Sequence, residues 1–322
     1  MSKLVKNGSR EISMSRLRVD AQCVDSLREK VCAWDLDFMQ LEKGGLAATI
    51  EQAALARLLM TRGQFSRKLE QRGGSPVGYR TFGFSLNPES PFSWRGHSVE
   101  ANKVLLFPQN GELYAVSEPG FHVMTVSVPE AYFDAYLDKN FSLLDQQRLK
   151  RQEVFECSDR AMNQLRQTFS YALRGEELAP AQTGWLESEM MTALFGACIE
   201  GQDLVSLRAG RRQKLVLAAT ESIEQMGGHK LNICELSTEL GVSVRTLEYA
   251  FRDHYQLGPK AYSIAYRMAQ VRRELLRMDG AHGGVAAVAS AWGFKHLGKF
   301  SASYRQFFGE LPSQTLAERH GA

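Results

Sequence analysis

At 322 residues, with 44% hydrophobic and 23% charged side chains, the chain has the composition of a soluble globular protein long enough for two domains. It has no apolar run of about eighteen residues, so no membrane-spanning helix is expected. Its five cysteines (23, 32, 157, 198 and 234) form no Cys-x-x-Cys pair, which argues against a disulfide framework or a thiolate zinc site and for a reducing cytoplasm. The net charge of +3 is unevenly shared: residues 211–322 carry 15 basic and 10 acidic side chains, leaving 24 and 26 for residues 1–210, so only the C-terminal part suits a polyanionic partner.

Met1 to Arg18 is basic and polar, lacks the apolar core of a secretory signal, and is expected to be a solvated tail. Between residues 33 and 129 the chain reads as short strands. Leu36, Phe38 and Leu41 lead the first, 51–60 is ambiguous, and 77–86, 103–107, 112–116 and 121–128 follow. Pro- and Gly-rich turn clusters at 72–76, 87–91, 108–111 and 117–120 separate them, the pattern of a small β-barrel or jelly roll. Such a barrel has room for one small ligand, and Tyr79, Arg80, Phe82, Phe84, Trp94 and Tyr114 are candidates to line it. Arg80 is the most informative of these, because an arginine among aromatic residues suits an anionic ligand. Cupin enzymes hold a metal with a His-x-His pair, a carboxylate and a later His; His97 and His122 are isolated, so no metal, cofactor or catalytic residue is expected.

Beyond Pro129 the apolar spacing becomes helical over 130–149, 159–174 and 183–196, as in Leu165, Phe169, Ala172 and Leu173. These helices have two possible partners, the barrel or a second copy of the chain; both bury the same face, and a helix pair with a second copy is the favoured reading. Residues 201–212 read as a linker between a domain over 1–200 and a second over 213–322.

The second domain holds the strongest local signals. A helix over 213–226 stops at Gly227-Gly228. In the stretch from Leu231 to Tyr255 a helix ends at Leu240, Gly241 makes the turn, Ser243 is placed as an N-cap, and Leu247 and Phe251 ridge the next helix. The stretch Val285 to Gly309 repeats the design with a turn at Gly293 and apolar teeth at Phe300, Tyr304, Phe307 and Phe308. The helix joining them, 260–277, spans roughly 27 Å at 1.5 Å per residue. With the width of the bundles added, that length suits recognition helices in successive major grooves about 34 Å apart.

These residues resemble the AraC/XylS family of bacterial transcription regulators. The resemblance covers about 214–316 and rests on Leu-Gly-Val-Ser-Val-Arg-Thr-Leu (240–247), Gly258-Pro259, Tyr262, Arg267, Arg272-Arg273-Glu-Leu-Leu276, Trp-Gly-Phe-Lys-His-Leu-Gly-Lys-Phe (292–300), Tyr304, Phe307-Phe-Gly-Glu-Leu-Pro312 and Ser313. It implies an α+β protein: an N-terminal cupin-like barrel with following helices, then an all-α domain with two helix-turn-helix units joined by a long helix. It also implies a sequence-specific regulator that meets promoter DNA and RNA polymerase, forms a homodimer, and activates a catabolic or metabolic operon in response to a small-molecule effector. A repressor or constitutive regulator with a purely dimerising N-terminal domain is the nearest alternative, and a cupin-type enzyme fused to a DNA-binding domain is one of another class. Arg245, Thr246, Glu248 and Tyr249 on the first recognition helix, with His296, Leu297 and Gly298 on the second, are the expected base contacts. Ser243, Arg252, Arg272, Lys295, Lys299 and Arg305 are the expected phosphate contacts. Gly298 and Ala302 give the second helix few long polar reaches, so the first is expected to set the sequence.

Overall fold

The computed structural model describes residues 15–31, 33–55, 57–89, 92–95, 97–99, 102–109, 113–174, 180–200, 202–203, 211–278 and 284–318. The first fourteen residues of the expected tail, and 201 and 204–210 of the expected linker, lie outside the described residues.

The N-terminal elements are β1 (Ser15–Ala21), α1 (Val24–Lys30), β2 (Asp35–Gln40), β3 (Ala48–Leu55), β4 (Leu58–Phe65), β5 (Leu69–Gly74), β6 (Tyr79–Ser85), β7 (Phe92–Trp94), β8 (His97–Val99), β9 (Lys103–Leu106), β10 (Leu113–Ser117) and β11 (Phe121–Pro129). The ambiguous stretch at 51–60 resolves into β3 and β4, which pair antiparallel as far as Leu55 opposite Leu58. Arg16 to Arg18 are strand rather than tail: β1 pairs antiparallel with β3, from Ser15 opposite Ala54 to Ala21 opposite Ala48. Its alternation of Leu17 and Val19 with exposed Arg18 and Asp20 is that of a strand with one wet face.

Together with β12 (Val154–Glu156) and β13 (Gln202–Asp203), the strands form an eight-stranded sheet in the order β1-β3-β4-β11-β6-β9-β12-β13 and a five-stranded sheet in the order β2-β5-β10-β7-β8. The two sheets face each other across a shared apolar core that includes Ile50, Phe65, Leu69, Trp94, Leu105 and Phe121. The result is an open sandwich, not a closed barrel.

Helices α2 (Glu130–Asn140), α3 (Leu143–Arg151), α4 (Asp159–Arg174) and α5 (Pro180–Glu200) fold back on the outer face of the larger sheet. Ser142, whose hydroxyl accepts from the Asp145 amide, starts α3 and divides what reads as one helix over 130–149. Phe82 meets Phe195 edge-on at 5.5 Å, and Phe84 meets Phe169 at the same separation. The apolar faces of these helices are therefore buried within the chain.

The C-terminal helices are α6 (Arg211–Gln225), α7 (Ile233–Glu239), α8 (Val244–Tyr255), α9 (Pro259–Arg277), α10 (Gly284–Ala291), α11 (Leu297–Phe308) and α12 (Pro312–Glu318). Helices α7 and α8 form the first helix-turn-helix unit, with Gly241 at φ +65°; α10 and α11 form the second, with Gly293 at φ +76°. Both turns need the left-handed region that glycine enters without steric cost. Asn232 caps α7 and Ser243 caps α8, each side chain accepting a backbone N–H of the first turn. Helix α9 starts on Pro259 behind Gly258, and its nineteen residues make a rod of roughly 28 Å.

The helical domain sits on the outer face of the five-stranded sheet. Strand alternation makes that sheet a two-sided wall. Phe38, Leu69, Leu113 and Ala115 face the sandwich core. Their neighbours Met39, Tyr114 and Val116, with Leu41 just beyond β2, join one core with Phe251, Tyr255, Tyr262 and Phe307 of the helical domain.

Candidate nucleic-acid interface

Helix α8 buries Leu247, Ala250, Phe251, His254 and Tyr255, which leaves Arg245, Thr246, Tyr249 and Arg252 exposed on the opposite face. Glu248 is half-buried and pairs with Arg252 at 3.3 Å, an i,i+4 bridge. Arg245 lies over the Tyr249 ring at 5.4 Å and donates to its hydroxyl at 3.4 Å. The guanidinium is thereby held over an aromatic face, an arrangement that preorganises a long donor without neutralising it. The Ser243 hydroxyl is already engaged in the cap, accepting from the Thr246 amide at 3.1 Å.

Helix α11 buries Phe300, Tyr304, Phe307 and Phe308 and exposes Leu297, Gly298, Lys299 and Arg305, with Lys295 and His296 exposed just before it. Among the described residues, Lys295, Lys299 and Arg305 form no ion pair with a carboxylate, so their charge is free to meet an anion. Lys295, His296 and Lys299 border a cleft of about 1200 Å³ whose far wall is N-terminal, with Glu42, Lys43, Lys68 and Glu118. The second recognition helix thus faces a space shared with the N-terminal domain.

Arg272 is a correction. It was expected on phosphate, but it is 2% exposed, and its guanidinium bonds Asp25 of α1 at 2.9 Å and Glu310 beyond α11. Burial alone would lower its affinity for a proton, yet the surrounding acidic groups hold its pKa above the ordinary arginine value. Arg272 is therefore a clasp between α1, α9 and the loop before α12. The adjacent Arg273 reaches Asp37 of β2 at 2.7 Å.

The same interface ties down both recognition helices at their C-terminal ends, where helix carbonyls lack intrahelical partners. Lys68 donates to the Tyr255 carbonyl at 3.2 Å, while Gln40 and the Gly44 amide donate to the Phe307 carbonyl at 2.9 and 3.0 Å. At the centre, Glu70, 2% exposed, accepts from the Tyr255 hydroxyl at 2.9 Å and from Arg72 at 2.9 Å. It also accepts from the Tyr262 hydroxyl at 3.1 Å. The Tyr114 and Tyr255 hydroxyls are in contact, and burial raises the pKa values of Tyr114, Tyr255 and Tyr262, so all three stay neutral donors at physiological pH.

The candidate effector residues separate. Only Trp94 borders the apolar cavity inside the sandwich. Phe82 and Phe84 face the helices, on the side of β6 opposite the cavity-facing Gly83. Arg80 is buried on that outer side, donating to the Lys150 carbonyl at 3.2 Å with its guanidinium 5.5 Å from the Phe133 ring. Half-buried Tyr79 leads the same strand without bordering the cavity, and Tyr114 stacks on His254 of α8. The parity of β6 is legible in sequence, but which face meets helices and which meets the other sheet is not. The cavity instead uses Trp34, Gln71 and Phe107. Among the described residues no group of three or more His, Cys, Asp or Glu is placed to hold a metal, and no helix is long and apolar enough to cross a membrane.

Two helix-turn-helix units on either side of one long helix, each with an exposed recognition helix, define a bipartite helix-turn-helix module. A family model described as "Helix-turn-helix domain" matches residues 236–318. The probable thc operon regulatory protein of Rhodococcus erythropolis is 35% identical over 102 residues, 32% of this chain and 31% of that protein. The XylDLEGF operon transcriptional activator of Pseudomonas putida is 31% identical over 96 residues, 30% of each chain. The match thus spans about 30% of the length of these relatives. The solved AraC-like transcriptional activator CuxR aligns over 80% of this chain and 94% of its own at 14% identity and a TM-score of 0.45. Over the matched part, the chain is similar to the helix-turn-helix domain of these operon regulators.

Proposed function

We propose that the chain is a sequence-specific, DNA-binding transcription regulator, an activator of a catabolic or metabolic operon, whose N-terminal domain senses a small molecule. What carries this reading is the exposed polar and basic face of α8 and α11, backed by a fully packed core. Arg245, Thr246, Glu248 and Tyr249 read base edges in one major groove, and His296, Leu297 and Gly298 contact them in the next. Ser243, Arg252, Lys295, Lys299 and Arg305 grip phosphates and set register. The family model matches this same part of the chain, and the names of the relatives are those of operon regulators.

Regulation follows from the docking of the two domains. The N-terminal domain supplies donors to the ends of both recognition helices and walls the cleft beside α11. A ligand that shifts the five-stranded sheet changes how the two units are presented to DNA. The protein works in the cytoplasm as a homodimer in contact with RNA polymerase. Exposed Tyr171 on α4 and Trp185 on α5, 60% and 62% accessible, offer a surface for the second copy.

The test is footprinting of the full chain on fragments from its own promoter region, with salt titration of the affinity. A protected site with two contacts about one helical turn apart, weakening steeply with salt, is expected. Binding that is weak and indifferent to sequence overturns the reading. A fragment over 211–322 is expected to bind the same site weakly as a monomer.

A further inference from the structure

The cavity between the two sheets has a chemistry that singles out a class of ligand. It is lined almost wholly by apolar and aromatic side chains, and among its described lining residues there is no Lys, Arg, His, Asp or Glu. Its volume is about 60 Å³, counted as the space open to the centre of a water molecule. Adding a water radius all round gives a void on the order of 200 Å³, comparable with apolar cavities on the order of 150 Å³ that take a benzene ring. Gly83 helps to make this room: a Cβ there would come within 3.0 Å of the Phe107 ring.

Three polar atoms on the lining residues stand out. The indole nitrogens of Trp34 and Trp94 and the amide nitrogen of Gln71 are buried without a hydrogen-bond partner. All three are donors, and buried donors are almost always paired in folded proteins. The hydroxyls that line the same space are already engaged: Thr61 accepts from Gln52 at 3.1 Å, and Thr125 donates to the Thr61 carbonyl at 3.4 Å. The site therefore offers N–H donors to a guest and no compensating charge.

We propose that this cavity binds a compact, uncharged molecule of about one ring that carries a hydrogen-bond acceptor such as a ketone, ester or amide oxygen. An anionic carboxylate would leave its water shell for a space with no cation, at a large desolvation penalty. A pure hydrocarbon would fill the space and leave the three donors unpaired. A neutral acceptor satisfies both demands. This assignment rests on the reading of the N-terminal domain as a sensor, and it names the ligand class the sensor takes.

The experiment uses the full chain and three probes of similar size: acetophenone, benzoate and ethylbenzene. Binding is followed by tryptophan fluorescence and by the shift in thermal midpoint. Acetophenone is expected to bind at least tenfold more tightly than either of the others. Trp94→Phe and Gln71→Leu are each expected to weaken acetophenone by tenfold or more while ethylbenzene changes by less than twofold, which also shows that the variants retain the cavity. Trp34→Phe is the second variant should either fold poorly. Tighter binding of benzoate, equal binding of acetophenone and ethylbenzene, or no binding of any probe overturns the assignment. Affinity for double-stranded promoter DNA is measured in parallel. DNA binding without probe binding removes the ligand assignment alone, whereas probe binding without DNA binding removes the regulator reading instead.

Discussion

Glu70 of β5 and Tyr262 of α9, 192 residues apart, meet across the domain boundary with the phenol donating to the carboxylate at 3.1 Å. Glu70 also receives Arg72 and Tyr255, so one buried acid collects donors from both domains. Glu70→Ala removes the shared acceptor and leaves two buried phenols and a guanidinium with one partner fewer. A loss of about 3 kcal/mol is expected in denaturant unfolding, with altered DNA affinity because α8 is released from the sheet. Glu70→Gln, which keeps an acceptor, is expected to cost less; equal losses would mean that the charge carries the interaction.

Arg272 and Lys299 separate clasp from grip. Arg272→Gln is expected to lower unfolding stability by about 3 kcal/mol through its two stranded carboxylates, without altering the salt dependence of DNA binding. Lys299→Ala is expected to leave stability unchanged and to reduce the slope of log affinity against log salt by about 1. The reverse pattern would return Arg272 to the phosphate backbone.

Arg245→Ala is expected to cost about 1–3 kcal/mol in specific binding, with relaxed preference at one base pair, if the guanidinium reads guanine. Footprints of the variant on single-base substitutions of the site locate that pair. An unchanged preference at every position would place base readout elsewhere on α8.

The two turn glycines are expected to behave differently. At Gly241 the φ is +65° with open space around the missing Cβ, so Gly241→Ala costs only the left-handed penalty of about 1 kcal/mol. At Gly293 a Cβ would lie 2.1 Å from the Gly228 carbonyl oxygen, so Gly293→Ala must also push two backbones apart. A loss of roughly 3 kcal/mol or more is expected there. Thermal unfolding of the two variants side by side tests the contrast.

His122 on β11 gives a pH dependence. Burial first, and then the charge of Arg62, whose Nε donates to its Nε2 at 2.7 Å, lower its pKa from 6.5 to about 4. The folded state holds the ring neutral, while the unfolded chain takes up a proton once the pH falls below 6.5. Its contribution to stability is therefore full above pH 6.5 and lost as the pH falls towards 4. Denaturant midpoints are expected to drop across that interval, and His122→Gln to flatten the drop.

The helix-turn-helix units are legible because their determinants are local: a capping serine or asparagine, a glycine that must turn left-handed, and apolar residues three and four apart. Five of the thirteen described strands, β2, β6, β9, β10 and β11, are legible for a similar reason, since Pro and Gly clusters mark their ends. Strand β1 is harder to see, because Arg16 and Arg18 in its sequence read as a charged tail until β3 pairs with it. Strand β5 is obscured by Arg72-Gly73-Gly74, which reads as a turn but stays extended to close against β2. The interface residues Glu70, Lys68 and Arg272 carry no periodic signal, because what buries them is a domain far away in sequence. The cavity donors are hidden likewise: a lone Trp or Gln becomes informative only once its polar atom is seen without a partner.

The five-stranded sheet is a single layer with an apolar cavity on one side and the helical domain on the other. On β5, Gln71 faces the cavity while Glu70 and Arg72, one residue to either side, hold the helical domain. The proposed ligand site and the docking contacts are therefore separated by one peptide unit, and they are kept apart only by strand parity. Inserting one residue into β5 would turn its cavity-facing side chains outward and its docking side chains inward, disrupting the cavity and the domain contact at once. Under the proposed function, substitutions at cavity-facing positions alone would change the preferred ligand while leaving the contacts to the helical domain intact.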